Sequence, residues 1–144
     1  MNDPKADYHV VIQDDAIICD NFREIAERTI SRDEKYAYSF YYGRRQENRE
    51  QAKIGLKNGF IISNWLSWGV AICLPTKIIP QMIEFCDRYT IKNDDSRIAG
   101  FLKFHGIKIF YPMPSLVDHR ADEKSLVGDP GHRQAWFFID NKKE

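Results

Sequence analysis

The stretch Tyr8-His9-Val10-Val11-Ile12-Gln13-Asp14-Asp15 decides how this chain is interpreted, because an apolar run ends there in two adjacent carboxylates. The β-branched residues of the run predict a buried strand. Hard divalent cations prefer carboxylate oxygens, so an acidic pair at the end of a strand is a candidate cation site. A second acidic pair, Asp94-Asp95, and a late Asp118-His119 repeat the pattern.

The composition predicts one folded domain, residues 1–144, with a core of its own. Hydrophobic residues make up 43% of the chain and charged residues 29%. The 21 basic and 21 acidic side chains balance, which argues against broad attraction to nucleic acid or to an anionic membrane. No apolar run has the length of a membrane span, and the first residues lack the apolar core of a signal peptide.

The three cysteines predict a reducing environment. Cys19, Cys73 and Cys86 are widely spaced and show no metal-type pairing. We therefore expect buried, reduced thiols in a cytoplasmic protein.

Apolar periodicity beyond the first strand predicts helices that alternate with strands. The predicted helices span 21–30, 77–89 and 94–106. The further predicted strands span 36–42, 68–74, 107–111 and 136–139, and 115–127 is predicted as a loop. This alternation predicts an α/β protein with a mixed, mostly parallel sheet flanked by helices.

The segment 44–59 is polar and dense in charge, and two interpretations stay open. One is a solvated loop or short helix. The other is a mobile flap that carries its arginines towards phosphate groups.

Three segments in a fixed order carry a resemblance. The strand that ends in Gln13-Asp14-Asp15 is followed by Asn64-Trp65-Leu66-Ser67-Trp68-Gly69 and a further apolar strand ending at Pro75. A helix, the pair Asp94-Asp95 and then Tyr111-Pro112-Met113-Pro114-Ser115-Leu116-Val117-Asp118-His119 come after them. This order resembles the GT-A glycosyltransferases, in particular small bacterial and phage-type members related to families 2 and 25. The resemblance covers residues 7–128 and leaves 129–144 as a C-terminal extension.

On the donor side, the resemblance implies a bound Mn²⁺ or Mg²⁺ and a nucleotide-sugar donor. Asp15 and His119 would bind the metal, and Asp14 would contact the ribose or support the metal. Apart from the resemblance, Arg120 and Arg133 are candidates for pairing with phosphate, because a guanidinium can bind phosphate oxygens. The metal would neutralise the diphosphate that leaves the sugar.

On the acceptor side, the resemblance implies a general base that takes the proton of an acceptor hydroxyl whose identity is unknown. Asp95, with its neighbour Asp94, occupies that place at the start of a helix. Trp65 and Trp68 would line the acceptor side, where an aromatic face can stack on a sugar.

Each of these residues also has a plain structural interpretation. The pair Asp14-Asp15 would be solvated carboxylates at a strand end, and Asp94-Asp95 would cap a helix. His119 would be a loop histidine paired with an acid. The tryptophans would pack in the core, and the arginines would be surface charge.

The resemblance predicts a metal-dependent glycosyltransferase-like protein that transfers a sugar to an acceptor hydroxyl. In GT-A enzymes an N-terminal βαβ region precedes the acidic motif and holds the nucleotide, whereas few residues precede Tyr8 here. The implied fold is therefore a GT-A-like one, truncated at its N-terminus. An exposed sheet edge would then be covered by a second copy or a partner chain. The alternative function is a non-catalytic GT-A-like module, such as a phage-encoded one, that binds a protein or a nucleotide.

Overall fold

A computed structural model describes residues 5–30, 35–90, 93–120 and 133–140. In these ranges the strands are β1 (Tyr8–Ile12), β2 (Ala16–Ile18), β3 (Tyr36–Ser39), β4 (Phe60–Ser63), β5 (Ala71–Pro75), β6 (Lys108–Pro112) and β7 (Val117–His119). The α-helices are α1 (Phe22–Thr29), α2 (Arg49–Asn58), α3 (Ile79–Asp87) and α4 (Asp94–Phe104). Short 3-10 turns, Gln46–Asn48 and Thr76–Ile78, precede α2 and α3.

The strands form a five-stranded mixed sheet with the order β1-β5-β3-β6-β4. The prediction of a mixed α/β fold is confirmed, but the prediction of a mostly parallel sheet is wrong. Among the strands of the described ranges, only β3 and β6 pair in parallel, and β1–β5, β3–β5 and β4–β6 are antiparallel.

The error follows from the connections between strands, which the alternation of helices and strands does not reveal. A parallel pair needs a crossover that returns the chain to the same end of the sheet. The connection between β4 and β5 runs through residues 64–70, which contain no helix. Gly59, with a φ of 88°, ends α2 in a left-handed conformation, and β4 begins at the next residue. The helical connections join strands that run in opposite directions: α2 joins β3 to β4, and α3 with α4 joins β5 to β6. Neither is therefore the helical crossover of a βαβ unit.

A second, two-stranded sheet lies next to the end of β1. β2 pairs with β7 in antiparallel register, and Ala16 lies opposite His119. The expectation of a loop over 115–127 is therefore wrong at Val117–His119, and residues 121–127 lie outside the described ranges. This pairing brings the residue before β2, Asp15, next to the end of β7.

The core lies on both faces of the five-stranded sheet, because successive side chains of a strand point to opposite faces. Ala37 and Ile72 belong to a buried cluster that also includes residues of α2, α3 and α4. Tyr38 and Cys73 belong to a second cluster, which includes residues of α1 and β7. The sheet is thus the middle of three layers.

The helix α4 begins and ends close to where the sequence predicts. Its N-cap position is Asn93, and Asp94 and Asp95 occupy the first turn, so neither aspartate is the cap itself. Their negative charge still lies favourably at the positive end of the helix dipole. Gly106, with a φ of 67°, follows the last turn and ends the helix.

The predicted strand over 136–139 does not form. Ala135 and Phe138 make isolated bridges to Gly43 and Ser115 instead. Because these two bridges go to different segments of the chain, no continuous ladder develops. Residues 133–140, called the C-terminal segment below, nevertheless pack on the body of the domain.

The segment 44–59 contains the short helix of the first interpretation. Ala52 and Gly55 of α2 are buried against the sheet. No α-helix within the described ranges is both long and apolar enough to span a membrane.

Candidate functional site

A cavity of about 680 Å³ lies where β1, β5, α3 and α4 meet the end of β7. Five side chains singled out in the sequence line it: Trp68, Asp94, Asp95, His119 and Arg133. Gln13 and Tyr41, which the sequence analysis left without a role, also line it. The fold therefore gathers most of the predicted donor-side and acceptor-side residues around one space.

Asp15 and His119 are in direct contact beside this cavity. Asp15 Oδ2 lies 3.0 Å from His119 Nε2, and the side chains are 24% and 4% exposed. A tight turn produces the contact: the N–H of Ala16 donates to the carbonyl of Gln13, so that Asp14 and Asp15 are its central residues. Asp15 turns inwards to His119, whereas Asp14 is exposed and does not line the cavity.

The hydrogen bonds of His119 determine which ring nitrogen faces Asp15. Nδ1 lies 3.0 Å from the backbone carbonyl of Arg120, and a carbonyl only accepts, so Nδ1 carries a proton. In the neutral ring, Nε2 then bears a lone pair that points towards a carboxylate. A positive charge beside Nε2 offsets the charge of this carboxylate, and the Nη1 atom of Arg133 lies 3.4 Å from Nε2. Histidines that bind metals use this same pattern, with the second ring nitrogen donating to a carbonyl.

Asp118 fixes the position of His119 and of the C-terminal segment. It is only 5% exposed. Its Oδ1 accepts from the backbone N–H of His119 at 2.8 Å and from that of Ala135 at 2.7 Å. A carboxylate that accepts hydrogen bonds from two buried N–H groups holds the two backbone segments firmly together. Asp118 therefore has a structural role, which the sequence could not reveal because Ala135 is distant along the chain.

Arg133 reaches the cavity because the C-terminal segment is tied to the ends of β3 and β7. The hydroxyl of Tyr41 donates to the backbone carbonyl of Arg133. The Nη1 atom of Arg133 lies 3.4 Å from His119 Nε2. Asp15, His119 and Arg133, called the histidine group below, thus form one connected cluster.

Asp94 and Asp95, called the helix group below, enter the cavity from the first turn of α4. The Oδ1 atom of Asp95 accepts from the backbone N–H of Ser96 at 2.8 Å. Gly69 allows Asp95 to approach closely, because a Cβ atom at Gly69 would lie 3.0 Å from Asp95 Cβ. The glycine that separates Trp68 from β5 thus helps to set the position of the candidate base.

The two tryptophans have different environments. Trp68 lines the cavity and packs edge-on against Tyr41, Tyr42 and Tyr111. Trp65 is 42% exposed, lies outside the cavity and is covered by Lys103. Only Trp68 is therefore placed to contact a ligand in this cavity.

Arg120 contributes its backbone to the site. Its N–H donates to the carbonyl of Asp15 at 3.3 Å, and its carbonyl accepts from His119. The residue itself is exposed and does not line the cavity. Of the two arginines that the sequence proposes for phosphate, Arg133 is the one that lines it.

The donor atoms present fit a divalent cation that is shared with a ligand. Asp15 Oδ1 is buried and has no hydrogen-bond partner in the described part of the chain. The described residues contain no cluster of three or more His, Cys, Asp or Glu side chains that would form an all-protein cage. Mg²⁺ is commonly bound through one or two carboxylates together with substrate phosphates. Asp15 would supply the carboxylate of this mode of binding, and the imidazole of His119 would add a nitrogen ligand beside it.

No protein-family model matches the chain, and comparisons with curated proteins and with solved structures give no significant match.

Proposed function

We propose that this protein is a metal-dependent glycosyltransferase that moves a sugar from a nucleotide donor to an acceptor hydroxyl. The observation that carries the proposal is that one cavity is lined by both His119, in contact with Asp15, and the carboxylates Asp94 and Asp95. Its volume of about 680 Å³ suits a small-molecule ligand.

The histidine group supports the donor half of this function. Asp15 and His119 would hold Mn²⁺ or Mg²⁺, and the bound metal would neutralise charge that develops on the leaving diphosphate. The buried Oδ1 of Asp15 offers a further oxygen for this purpose. Arg133 adds a permanent positive charge on the same side of the cavity.

The helix group supports the acceptor half. Asp95 is partly buried and Asp94 is exposed, so Asp95 has the more restricted geometry. A carboxylate within hydrogen-bond reach of an acceptor hydroxyl takes its proton as the new bond forms. Trp68 offers an aromatic surface on which a sugar ring can pack.

The proposal is tested by thermal denaturation with Mn²⁺ and uridine or guanosine diphosphate. At a ligand concentration a hundred times Kd, a single-site ligand should raise Tm by roughly 5–10 °C. Asp15→Ala should abolish the rise, and Asp87→Ala, at the end of α3, should keep it. No rise with any nucleoside diphosphate in the wild-type protein would contradict donor binding. Release of nucleoside diphosphate from a sugar nucleotide then tests transfer itself.

The outer edge of β1 favours a second candidate function. β1 is hydrogen-bonded to β5 on one side, and no strand in the described ranges pairs with its other side. Val10 and Val11 on this strand are 40% and 65% exposed. We propose, as the alternative, a non-catalytic binding module in which a second copy or a partner chain covers this edge.

This alternative is tested by the molar mass of the protein in solution, measured by light scattering. A dimer that Val11→Lys converts to a monomer would support it in its self-associating form. A monomeric wild-type protein that turns over a sugar nucleotide would contradict it.

The cysteines agree with a cytoplasmic location, which we include in the proposal. Cys19, Cys73 and Cys86 are free thiols. Burial raises the pKa of Cys73 to about 12, which keeps this thiol protonated and unreactive near neutral pH.

A further inference from the structure

Two arginines lie beside the same pair of aromatic rings at the cavity. The ring centroids of Tyr41 and Trp68 are 5.9 Å apart, and both residues line the cavity. Arg133 lines the cavity too and is held in place through its backbone carbonyl, which accepts from the Tyr41 hydroxyl. Arg45 reaches the pair from the other direction, with its Cζ atom 5.4 Å from the centre of the Trp68 ring.

These two guanidiniums differ from the neighbouring arginines, which contact Trp136. Arg44 lies over the Trp136 ring at 5.3 Å and donates to the carbonyl of Ala135. Arg49 lies over the same ring at 5.9 Å. Arg44 and Arg49 therefore help to attach the C-terminal segment. Arg133 instead lines the cavity, and Arg45 lies over Trp68, whose side chain lines it.

Neither Arg45 nor Arg133 forms an ion pair with a carboxylate in the described part of the chain. Surface arginines on the helices do form such pairs, for example Arg88 with Glu84 at 2.6 Å. Arg133 lines the cavity, and Arg45 lies over the Trp68 ring that borders it. Two guanidiniums without a carboxylate partner are a favourable environment for an anion.

Several charged groups act on the hydroxyl of Tyr41. Burial raises the pKa of the Tyr41 hydroxyl above its usual range, and the carboxylate of Asp118 adds to the rise. Arg133, Arg45 and Arg44 oppose it, because positive charge favours the ionised phenol. The hydroxyl of Tyr41 is thus within electrostatic reach of three guanidiniums, and among them Arg44 is the one that lies over Trp136.

We propose that Arg133 and Arg45, placed by Tyr41 and Trp68, form a subsite that binds a diphosphate group without a metal ion. Guanidinium forks match phosphate oxygens in pairs and stay charged at all relevant pH values. The identification of the ligand as the diphosphate of a nucleotide sugar rests on the proposed function. The subsite itself requires only an anion with phosphate chemistry, and Asp15 takes no part in it.

The experiment is calorimetric titration of the whole protein with inorganic pyrophosphate in excess EDTA, so that no divalent cation is available. Binding is expected, and Arg133→Gln and Arg45→Gln should each weaken it by about tenfold. Arg88→Gln removes a positive charge just after α3, away from the cavity, and should leave Kd unchanged. Arg133→Lys retains the charge without the fork and should fall between the wild type and Arg133→Gln. Circular dichroism spectra and Tm values confirm that each variant is folded.

The outcomes separate this inference from the proposed function. Binding of pyrophosphate that requires Mn²⁺ would overturn the arginine subsite and leave the metal-dependent site intact. Binding in EDTA that both glutamine variants retain would overturn it as well, as would the absence of binding under both conditions. Uridine or guanosine diphosphate in the same EDTA buffer distinguishes a nucleotide ligand, which should bind more tightly than pyrophosphate, from a free phosphate ligand, which should not.

Discussion

The histidine group and the helix group border the same cavity but are built in opposite ways. Asp15, His119 and Arg133 come from distant parts of the chain and meet through the pairing of β2 with β7 and the attachment of the C-terminal segment. Asp94 and Asp95 are consecutive residues in the first turn of one helix. The first group is held by several backbone contacts, whereas the second depends on α4 and on its close approach to Gly69.

This difference predicts separate functions for the two groups. A group fixed on several sides is suited to holding a charged ligand in one place, because little reorganisation is needed when charge develops. A carboxylate at a helix start, open to the cavity, is suited to exchanging a proton with an incoming hydroxyl. Binding should therefore depend on the histidine group and turnover on the helix group.

The largest expected effect comes from the helix group. Asp95→Asn should lower the rate of sugar transfer by roughly 10²–10⁴-fold, because the amide cannot take a proton. The Kd for Mn²⁺ with nucleoside diphosphate should stay unchanged. Rates from released nucleoside diphosphate and calorimetric Kd values check this, with Asp87→Asn as a control. A comparable loss of donor binding in Asp95→Asn would contradict the claim that the two groups have separate functions.

The histidine group is tested by its own variant. His119→Ala should weaken binding of Mn²⁺ with nucleoside diphosphate by roughly 10–100-fold, the usual cost of disturbing a metal site. His105→Ala, at the exposed end of α4, removes an imidazole away from the cavity and serves as the control. Equal Kd values for both variants by calorimetry would contradict the assignment of His119.

A smaller effect is expected from the contact that positions the helix group. In Gly69→Ala the new methyl group would lie 3.0 Å from Asp95 Cβ, so the carboxylate must move by a few tenths of an ångström. We expect kcat to fall about tenfold while KM for the donor stays the same. Steady-state kinetics with a varied donor measure both values. A change in KM alone would show that Gly69 acts on the donor instead.

The smallest expected effect is on the free energy of unfolding and comes from the buried hydroxyl of Tyr111. Burial raises the pKa of Tyr111 to about 12, and its hydroxyl donates to Trp65 and accepts from Ser67. Since the folded-state pKa is the higher one, this stabilisation is complete below the unfolded pKa of about 10 and is lost as pH rises towards 12. At about pH 10.5 the loss attributable to Tyr111 should be roughly 0.8 kcal/mol.

Urea unfolding of the wild type and of Tyr111→Phe at about pH 8.5 and about pH 10.5 measures this loss. Tyr111→Phe should be less stable at the lower pH, because it lacks the hydroxyl, and should lose less on going to the higher one. The same pH dependence in both proteins would show that Tyr111 ionises as it does in the unfolded chain.

The parts of the fold that depend on local pattern could be predicted from the sequence. The apolar run gives β1, the helical spacing gives α1, α3 and α4, and Gly106 ends α4 where a left-handed residue is needed. Strand direction could not be predicted, because it depends on how irregular segments such as 64–70 cross the sheet.

The candidate site shows the same limit. The helix group can be recognised in the sequence as two consecutive aspartates. The contact of Asp15 with His119 was expected only through the resemblance. The clamp formed by Asp118 on Ala135 and the role of Tyr41 in placing Arg133 had no signal in the sequence. Both depend on backbone atoms that meet only after the C-terminal segment has packed.

The most direct test of the central claim, that Asp15 and His119 bind the metal, is proton NMR of the histidine side chains during titration with Mn²⁺ and nucleoside diphosphate. Paramagnetic broadening falls steeply with distance from the ion. The account predicts that the imidazole signals of His119 disappear first, while those of His105 stay sharp, and that Asp15→Ala removes the effect. Early loss of the His105 signals, or no preferential loss at His119, would contradict it.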